Sequence, residues 1–299
     1  MPSAPSLTVQ VVLYHTDLAQ VWRQLRGVIH AAHRATDEGV LESVRVAYGD
    51  SSERPDLTDA AFSDLRRVGL DGGLADITYD FFAANLGSGG GSNKLAGASD
   101  SELFLVLNPD TYPDPRLLVG LVDAITPSDV GGVDPRQLPC EHPKAYDHIT
   151  WDTSWVSGAC MLVRRSAFNE VGGFSSDLFP MYCDDVDLSW KLRLAGWRTV
   201  HVPTALLFHD KKPVTGGVVP AATEQYWASL ARLLLCRRWG RPDLEQQTLD
   251  WLMVHETGPY REALEAYRLR EQQGTLPEPL EGAERVAQFV DGNYATHRF

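Results

Sequence analysis

Asp184, Asp185 and Asp187 place three carboxylates within four residues, directly ahead of a helical pattern. In that pattern Val186, Trp190 and Leu194, and again Leu188, Leu192 and Ala195, recur largely at i, i+4. Carboxylates this close repel one another unless a cation or a proton-transfer role offsets the cost, so the cluster is a candidate site for one or the other. The plainer reading is that Asp184 or Asp185 is only the N-cap, the others lying near the positive end of the helix dipole; one cap, however, needs one carboxylate. Asp110 is the second candidate. The wholly apolar run Leu103–Leu107 ends abruptly in Asn108-Pro109-Asp110, and a carboxylate at the carboxyl end of a central strand suits Mg2+ or Mn2+, ions that keep waters and bridge substrate phosphates. Its alternative is a turn-forming Asp before Thr111 and Pro113. His209 is a third, either a ligand or a packed histidine. Residues 85–93, Asn-Leu-Gly-Ser-Gly-Gly-Gly-Ser-Asn, read as a glycine-rich loop in which backbone N–H groups can approach a phosphate or ribose, followed by a helix over 94–99. This run matches neither a Gly-x-Gly-x-x-Gly after the first strand nor a phosphate loop ending in Lys-Ser/Thr.

The elements that must hold these residues are those of an α/β protein. Residues 8–14 read as a buried strand, 18–34 as a helix with Val21, Leu25, Val28 and Ile29 inward, and 44–47 as a second strand running into the turn cluster Tyr48-Gly49-Asp50-Ser51-Ser52. Strand, helix, strand is the unit of a parallel sheet, with ligands at the carboxyl ends of its strands. Further strands are expected at 77–82, Leu103–Leu107, 159–163, 199–202 and 205–208, with Gly172-Gly173 breaking the chain before Phe174 and Gly196 ending the acidic helix. Beyond Lys211-Lys212-Pro213 and Gly216-Gly217 the pattern is helical at 226–239, 244–254 and 260–273, with weak periodicity at 284–290.

A chain of 299 residues with 43% apolar content supports one sizeable core with an appendage. The formal net charge of −13 argues against non-specific nucleic-acid binding. Residues 1–7 have neither a basic segment nor an apolar core, and no run approaches the roughly 18 apolar residues of a membrane span, so a cytoplasmic location is expected. Cys140, Cys160, Cys183 and Cys236 lack Cys-x-x-Cys spacing, which indicates neither a zinc cage nor a disulfide framework.

Several of these segments together resemble the inverting glycosyltransferases of family 2, in their rhamnosyltransferase-like branch. The matching residues are Tyr14-His15 at the end of the first strand, residues 85–93, Leu107-Asn108-Pro109-Asp110, Ser157-Gly158-Ala159 with Arg164-Arg165, Val171-Gly172-Gly173-Phe174, residues 184–188, and Val202-Pro203 with His209. They cover residues 7–210. The resemblance implies the two-lobed GT-A nucleotide-sugar fold, with a mixed, mainly parallel central sheet in a catalytic domain over 1–212 and a C-terminal helical extension over 213–299. It implies a donor site at Tyr14, Asp50, Gly91, Asn93, Asn108 and Asp110 for a dTDP- or UDP-sugar, and a divalent ion, Mg2+ or Mn2+, on Asp110 and His209. Asp185 is implied as the base that deprotonates the acceptor hydroxyl, with Asp184 beside it. Two departures stand out: Asp184 replaces the family's usual Glu, and Tyr48-Gly49-Asp50-Ser51 replaces its Asp-Asn-x-Ser, which puts the base contact of Asp50 in question.

The acceptor implied is a glycan, a lipid-linked glycan or a small molecule. The arginine-bearing helix at 226–239 is expected either to cover the acceptor side or lie on an anionic membrane at its inner face, or to pack as a cap or against a second copy of the chain. Two other classes compete with the transferase. A sugar-phosphate nucleotidyltransferase normally carries a basic glycine-rich loop after its first strand, and Leu13-Tyr14-His15-Thr16-Asp17 has neither the glycines nor the lysine. A non-catalytic nucleotide-sugar-binding protein has no need of the aspartate clusters.

Overall fold

The computed structural model describes residues 4–141, 144–210, 221–255 and 257–295. The Lys211-Lys212-Pro213 and Gly216-Gly217 break, and with it the expected boundary at 212/213, lies outside the described residues.

The elements in chain order are β1 (Ser6–Leu13), α1 (Leu18–Asp37), β2 (Ser43–Asp50), α2 (Asp59–Asp71), β3 (Asp76–Phe81), α3 (Gly87–Gly97), β4 (Leu103–Leu107), β5 (Thr111–Pro113), α4 (Leu117–Ile125), β6 (Val130–Leu138), β7 (Cys160–Arg164), α5 (Arg165–Glu170), α6 (Asp184–Leu194) and β8 (Arg198–His209). The helices α7 (Ala222–Arg238), α8 (Pro242–Val254) and α9 (Pro259–Gln273) follow. One eight-stranded sheet has the order β3-β2-β1-β4-β7-β6-β8-β5. β1 pairs in parallel with β2 and β4, β2 with β3, and β6 with β8, while β7 runs antiparallel to both β4 and β6, and β5 to β8. The strands β1, β2, β3, β4, β6 and β8 therefore all point the same way, and their carboxyl ends share one edge. The starts of β5 and β7 reach that same edge.

The apolar run of β4 is buried on both faces. Leu103, Leu105 and Leu107 enter the core formed with α1 and α4, while Phe104 and Val106 enter a second core beneath α5 and α6 with Met161, Leu188 and Leu192. A third core joins Trp155, Phe179, Val186 and Trp190 to Leu230, Leu234 and Trp239 of the C-terminal helices.

Four expectations are corrected. β2 continues through Tyr48-Gly49-Asp50 because each is hydrogen-bonded in register to β1, so the turn starts at Ser51. The residues 199–202 and 205–208 belong to one strand, whose ladder to β6 absorbs the Pro203 interruption as an irregularity. At 284–290 only a single 3-10 turn, Ala283–Arg285, forms. The glycine run is not a loop: Gly87–Gly97 is helical. Glycine costs about 1 kcal/mol in a helix relative to alanine, but close packing makes it necessary at one position at least. A Cβ on Gly91 would sit 2.7 Å from a methyl of Val12 in β1.

Candidate active site

The site lies along the shared strand edge. At its centre β4 runs out at Leu107, and Asn108 stays attached to the sheet through its N–H to the Ala159 carbonyl, 2.9 Å. The chain then turns through Pro109 and Asp110 into β5, whose Thr111 is in register with His209 of β8. The Asp210 N–H donates to the Asp110 carbonyl, 2.9 Å. This ladder brings Asp110 Oδ2 to 3.3 Å from His209 Nε2.

His209 is buried, and its Nδ1 meets Gln137 Oε1 at 2.9 Å while Gln137 Nε2 donates to Ser157 Oγ at 2.9 Å. With its amide nitrogen committed to Ser157, Gln137 presents its oxygen to the ring, so Nδ1 carries the hydrogen and the lone pair of a neutral ring sits on Nε2, facing the carboxylate. Two electron-rich atoms so placed fit a cation between them, with a polar partner fixing the imidazole from behind, as is usual for a metal-bound histidine. Among the described residues no group of three or more His, Cys, Asp or Glu could hold a metal. The pair thus offers two protein ligands, which suits Mg2+ or Mn2+ completed by water and phosphate oxygens.

Beside this pair is a cleft of about 380 Å3, lined among others by Tyr14, Ser51, Ser88, Ser92, Asn108 and Asp110. The α3 N-terminus opens into it at Gly87 and Ser88, a favourable place for negative charge. The hydroxyls of Ser51 and Ser92 are buried and have no hydrogen-bond partner among the described residues. Sequence reasoning did not single out either serine, and only their lack of a partner marks them.

Three of the residues implied for the donor site fall outside the lining of this cleft. Asp50 is wholly buried, and its carboxylate accepts from the Ser52 N–H (2.9 Å), the Asp56 N–H (2.7 Å) and the Tyr79 hydroxyl (2.5 Å). It shapes the loop that presents Ser51 and does not line the cleft. Asn93 donates to the Phe174 carbonyl and accepts from the Phe174 N–H, both 2.9 Å, so its amide locks the Gly172-Gly173-Phe174 turn to α3. Gly91 serves the packing of α3 on β1, as described above. Tyr14, Asn108 and Asp110 do line the cleft.

The acidic cluster opens α6. The N-cap is Cys183, which like Tyr182 adopts a left-handed backbone (φ 60° and 65°) and supplies no side-chain cap bond. Neither Asp184 nor Asp185 is the N-cap; all three carboxylates belong to the first turn. Two successive non-glycine residues in this conformation hold strain immediately before the carboxylates.

Each carboxylate has a different environment. Asp185 Oδ2 accepts from the Gly158 N–H at the start of β7, and Oδ1 from the Val186 N–H, both 2.8 Å. Gly158 allows this approach, since a Cβ there would lie 3.2 Å from the Asp185 Cβ. Burial raises the Asp185 pKa above the usual carboxylate range, against the opposing pull of those two N–H groups. Asp184 is pushed up to about 7, by burial first and then by the charge of Asp185. Asp187 is wholly buried and faces away: it accepts from Arg238 Nε (2.8 Å), Trp239 Nε1 (3.0 Å) and Ser175 Oγ (2.7 Å). The two members of the cluster left for chemistry are Asp184 and Asp185.

The arginines of the 226–239 helix are likewise engaged within the protein, as the packed-cap alternative requires. Besides Arg238 on Asp187, Arg237 meets Glu245 at 3.2 Å, and Arg232 donates to Thr248, Asn293 and the Gly292 carbonyl. Among the described residues no helix is long and apolar enough to cross a membrane.

Residues 148–242 match the family model described as glycosyl transferase family group 2. Among curated relatives, an N-acetylglucosaminyl-diphospho-decaprenol L-rhamnosyltransferase of Mycobacterium tuberculosis is 38% identical over 116 residues, 38% of each chain. The rhamnosyltransferase WbbL of Escherichia coli is 40% identical over 78 residues, 26% of this chain and 28% of that one. The chain thus spans well under half the length of these two relatives. Among solved structures, the mannosyltransferase PcManGT from Pyrobaculum calidifontis in complex with GDP-Man and Mn2+ superposes with a TM-score of 0.57 at 14% identity, covering 92% of this chain and 84% of that one. GalNAc-T7 with UDP, GalNAc and Mn2+ gives 0.64 at 13% identity, covering 95% and 57%. The fold is therefore that of the GT-A transferases, and over residues 148–242 the chain is similar in sequence to the glycosyltransferases of family 2, with rhamnosyltransferases among its relatives.

Proposed function

We propose that this chain transfers a sugar, L-rhamnose in the first instance, from a nucleoside-diphosphate donor to an acceptor hydroxyl on a glycan or lipid-linked glycan, with inversion at the anomeric carbon. The observation that carries the reading is the Asp110–His209 pair, 3.3 Å apart at the rim of a cleft whose wall holds two buried, unpartnered hydroxyls. Support for a sugar donor with Mn2+ comes from the contents of the two structures just named, and for rhamnose from the names of the sequence relatives.

In this reading Ser51 and Ser92 hydrogen-bond the nucleoside, Tyr14 forms a wall beside it, and the α3 N-terminus faces the diphosphate. Asp110 and His209 would hold a Mg2+ or Mn2+ ion, which when bound neutralises charge on the departing diphosphate. Inversion is a single in-line displacement: the acceptor oxygen forms its bond to the anomeric carbon as the bond to the diphosphate breaks. Asp185 takes the hydroxyl proton. Its two N–H contacts fix the carboxylate in place, and the proton affinity raised by burial suits a base. Asp184 adjoins it, and the charge of Asp185 raises the proton affinity of Asp184.

The test is thermal unfolding of the whole chain with UDP-, dTDP- and GDP-sugars, with and without Mn2+ or Mg2+. A ligand that binds only the folded state stabilises by about 2.7 kcal/mol at a hundred times its Kd. We expect one nucleotide class to stabilise only in the presence of the ion, EDTA to remove the effect, and Asp110→Ala to lose it. Equal stabilisation in EDTA, or none with any nucleotide, would sink the reading.

A further inference from the structure

The C-terminal helices enclose a trench that leads away from the acidic cluster. One cavity, about 670 Å3, lies between α7 and α8 and is closed by the segment around Asp291. A second, about 190 Å3, shares Tyr182, Ala228, Arg232 and Asn293 with it, and reaches Cys183, the residue immediately before Asp184. The two thus adjoin across these residues, and the strained Tyr182-Cys183 turn stands between the second cavity and the first turn of α6.

The lining is mixed. Trp251, 45% exposed, is backed by the stacked ring of His255 at 4.1 Å and by Tyr260 edge-on at 5.0 Å, which fixes the indole. Around it are Glu224, Gln247 and Asp291. The one arginine of the lining, Arg232, spends its donors on Thr248, Asn293 and Gly292. The lining is mainly apolar in area, and a committed arginine beside two carboxylates opposes an anionic occupant, while the amide and carboxylates at its edge give hydroxyls partners that an alkyl chain would leave unused. A fixed aromatic ring ringed by hydrogen-bonding side chains has the two surfaces that a neutral sugar needs, one for its C–H face and one for its hydroxyls.

We infer that this trench is an acceptor subsite, which holds a neutral sugar residue of the acceptor beyond the one that receives the transferred sugar, stacked on Trp251. The inference rests on the transferase reading for its orientation toward Asp185, and the trench's ligand class can be tested without it.

The experiment is saturation-transfer NMR of the whole chain with methyl β-chitobioside, methyl β-cellobioside and methyl α-maltoside at millimolar concentration, and with n-octyl β-glucoside. Ring protons of at least one disaccharide should be saturated. Trp251→Ala should weaken that binding about tenfold, the scale of one lost aromatic contact. Ala228→Trp, a substitution at an exposed position of α7 that fills the trench, should abolish it and keeps the test open should Trp251→Ala fail to fold. The inference is overturned if no disaccharide binds the parent protein, if binding ignores both substitutions, or if saturation appears only on the octyl chain. Failure of the transferase reading is seen separately: the parent protein then neither binds nor hydrolyses a nucleotide sugar with Mn2+, whatever the disaccharides do.

Discussion

Asp185 and Asp184 are adjacent in sequence, yet their surroundings differ, and the roles proposed for them rest on that difference. Asp185 is held by two N–H groups, so exchanging it for Asn keeps the shape but turns an amide N–H toward one backbone donor. That costs about 1 kcal/mol, whereas losing a general base costs about 10²- to 10⁴-fold in rate. We expect Asp185→Asn to lose transfer by that factor while denaturant unfolding shifts by no more than about 1 kcal/mol; parent-like turnover would move the base to Asp184. The pair titrates jointly, and burial with the charge of Asp185 raises Asp184 to about 7. The folded chain therefore keeps a proton up to about pH 7 that the unfolded chain releases near its ordinary value of 3.8. Between those limits the folded state binds more protons, so stability falls as pH rises. Asp184→Asn should flatten that slope in denaturant titrations and be more stable than the parent at about pH 8.

At the scale of elements, α6 faces two ways. Its first turn aims Asp184 and Asp185 at the strand edge, while Asp187, one turn face away, ties the helix to α7 through Arg238 and Trp239. Removing one partner of a buried charge pair costs about 3–5 kcal/mol. Asp187→Ala should lower unfolding stability by that amount, and Arg238→Glu, which buries a second negative charge beside Asp187, should be at least as severe. Loss of stability in the arginine variant, without any vesicle present, would show that the residue serves packing; an undisturbed unfolding midpoint in both would argue that α7 is free to leave α6. The helix α3 shows the same economy: Asn93 grips Phe174 while Gly91 admits Val12, so the glycine-rich run sets the distance between the wall of the Asp110 cleft and the turn before α6.

Across the whole molecule, the sheet supplies one edge for all the candidate residues and the C-terminal helices finish the core behind it. Phe179, Val186 and Trp190 are fully buried against residues of α7 to α9. Each large apolar side chain so covered contributes about 1.5–3 kcal/mol, and three of them approach the 5–15 kcal/mol by which a typical domain is stable. A chain ending at Asp210 should therefore be insoluble or expanded, read by its soluble fraction and by loss of a cooperative unfolding transition. A soluble, cooperatively unfolding fragment would mean that the helical extension is separable from the sheet.

Spacing along the chain was enough to determine the strands and helices with strong periodicity: the all-apolar β4, the acidic start of α6 and the three C-terminal helices all fall where the pattern puts them. It also marked Asp110 and the Asp184, Asp185 and Asp187 cluster, since an abrupt polar residue after a buried strand, or a charge cluster at a helix start, is a local signal, whereas the choice of Asp185 and of His209 within the site came from the family resemblance. Only the tertiary structure decided which polar atoms are already satisfied. Asp50, Asn93 and the arginines of α7 look available in the sequence, yet their partners lie as far as 81 residues away, at Phe174 for Asn93. The Asp110–His209 contact likewise depends on the β5–β8 register, and the helicity of the glycine run on how closely β1 and Phe174 approach it. The physical reason is common to all of these. Periodicity reports how each stretch divides its surface between water and core, but hydrogen-bond satisfaction and close approach are set by segments distant in sequence, where one register or one missing Cβ decides whether a carboxylate is a scaffold or a reagent.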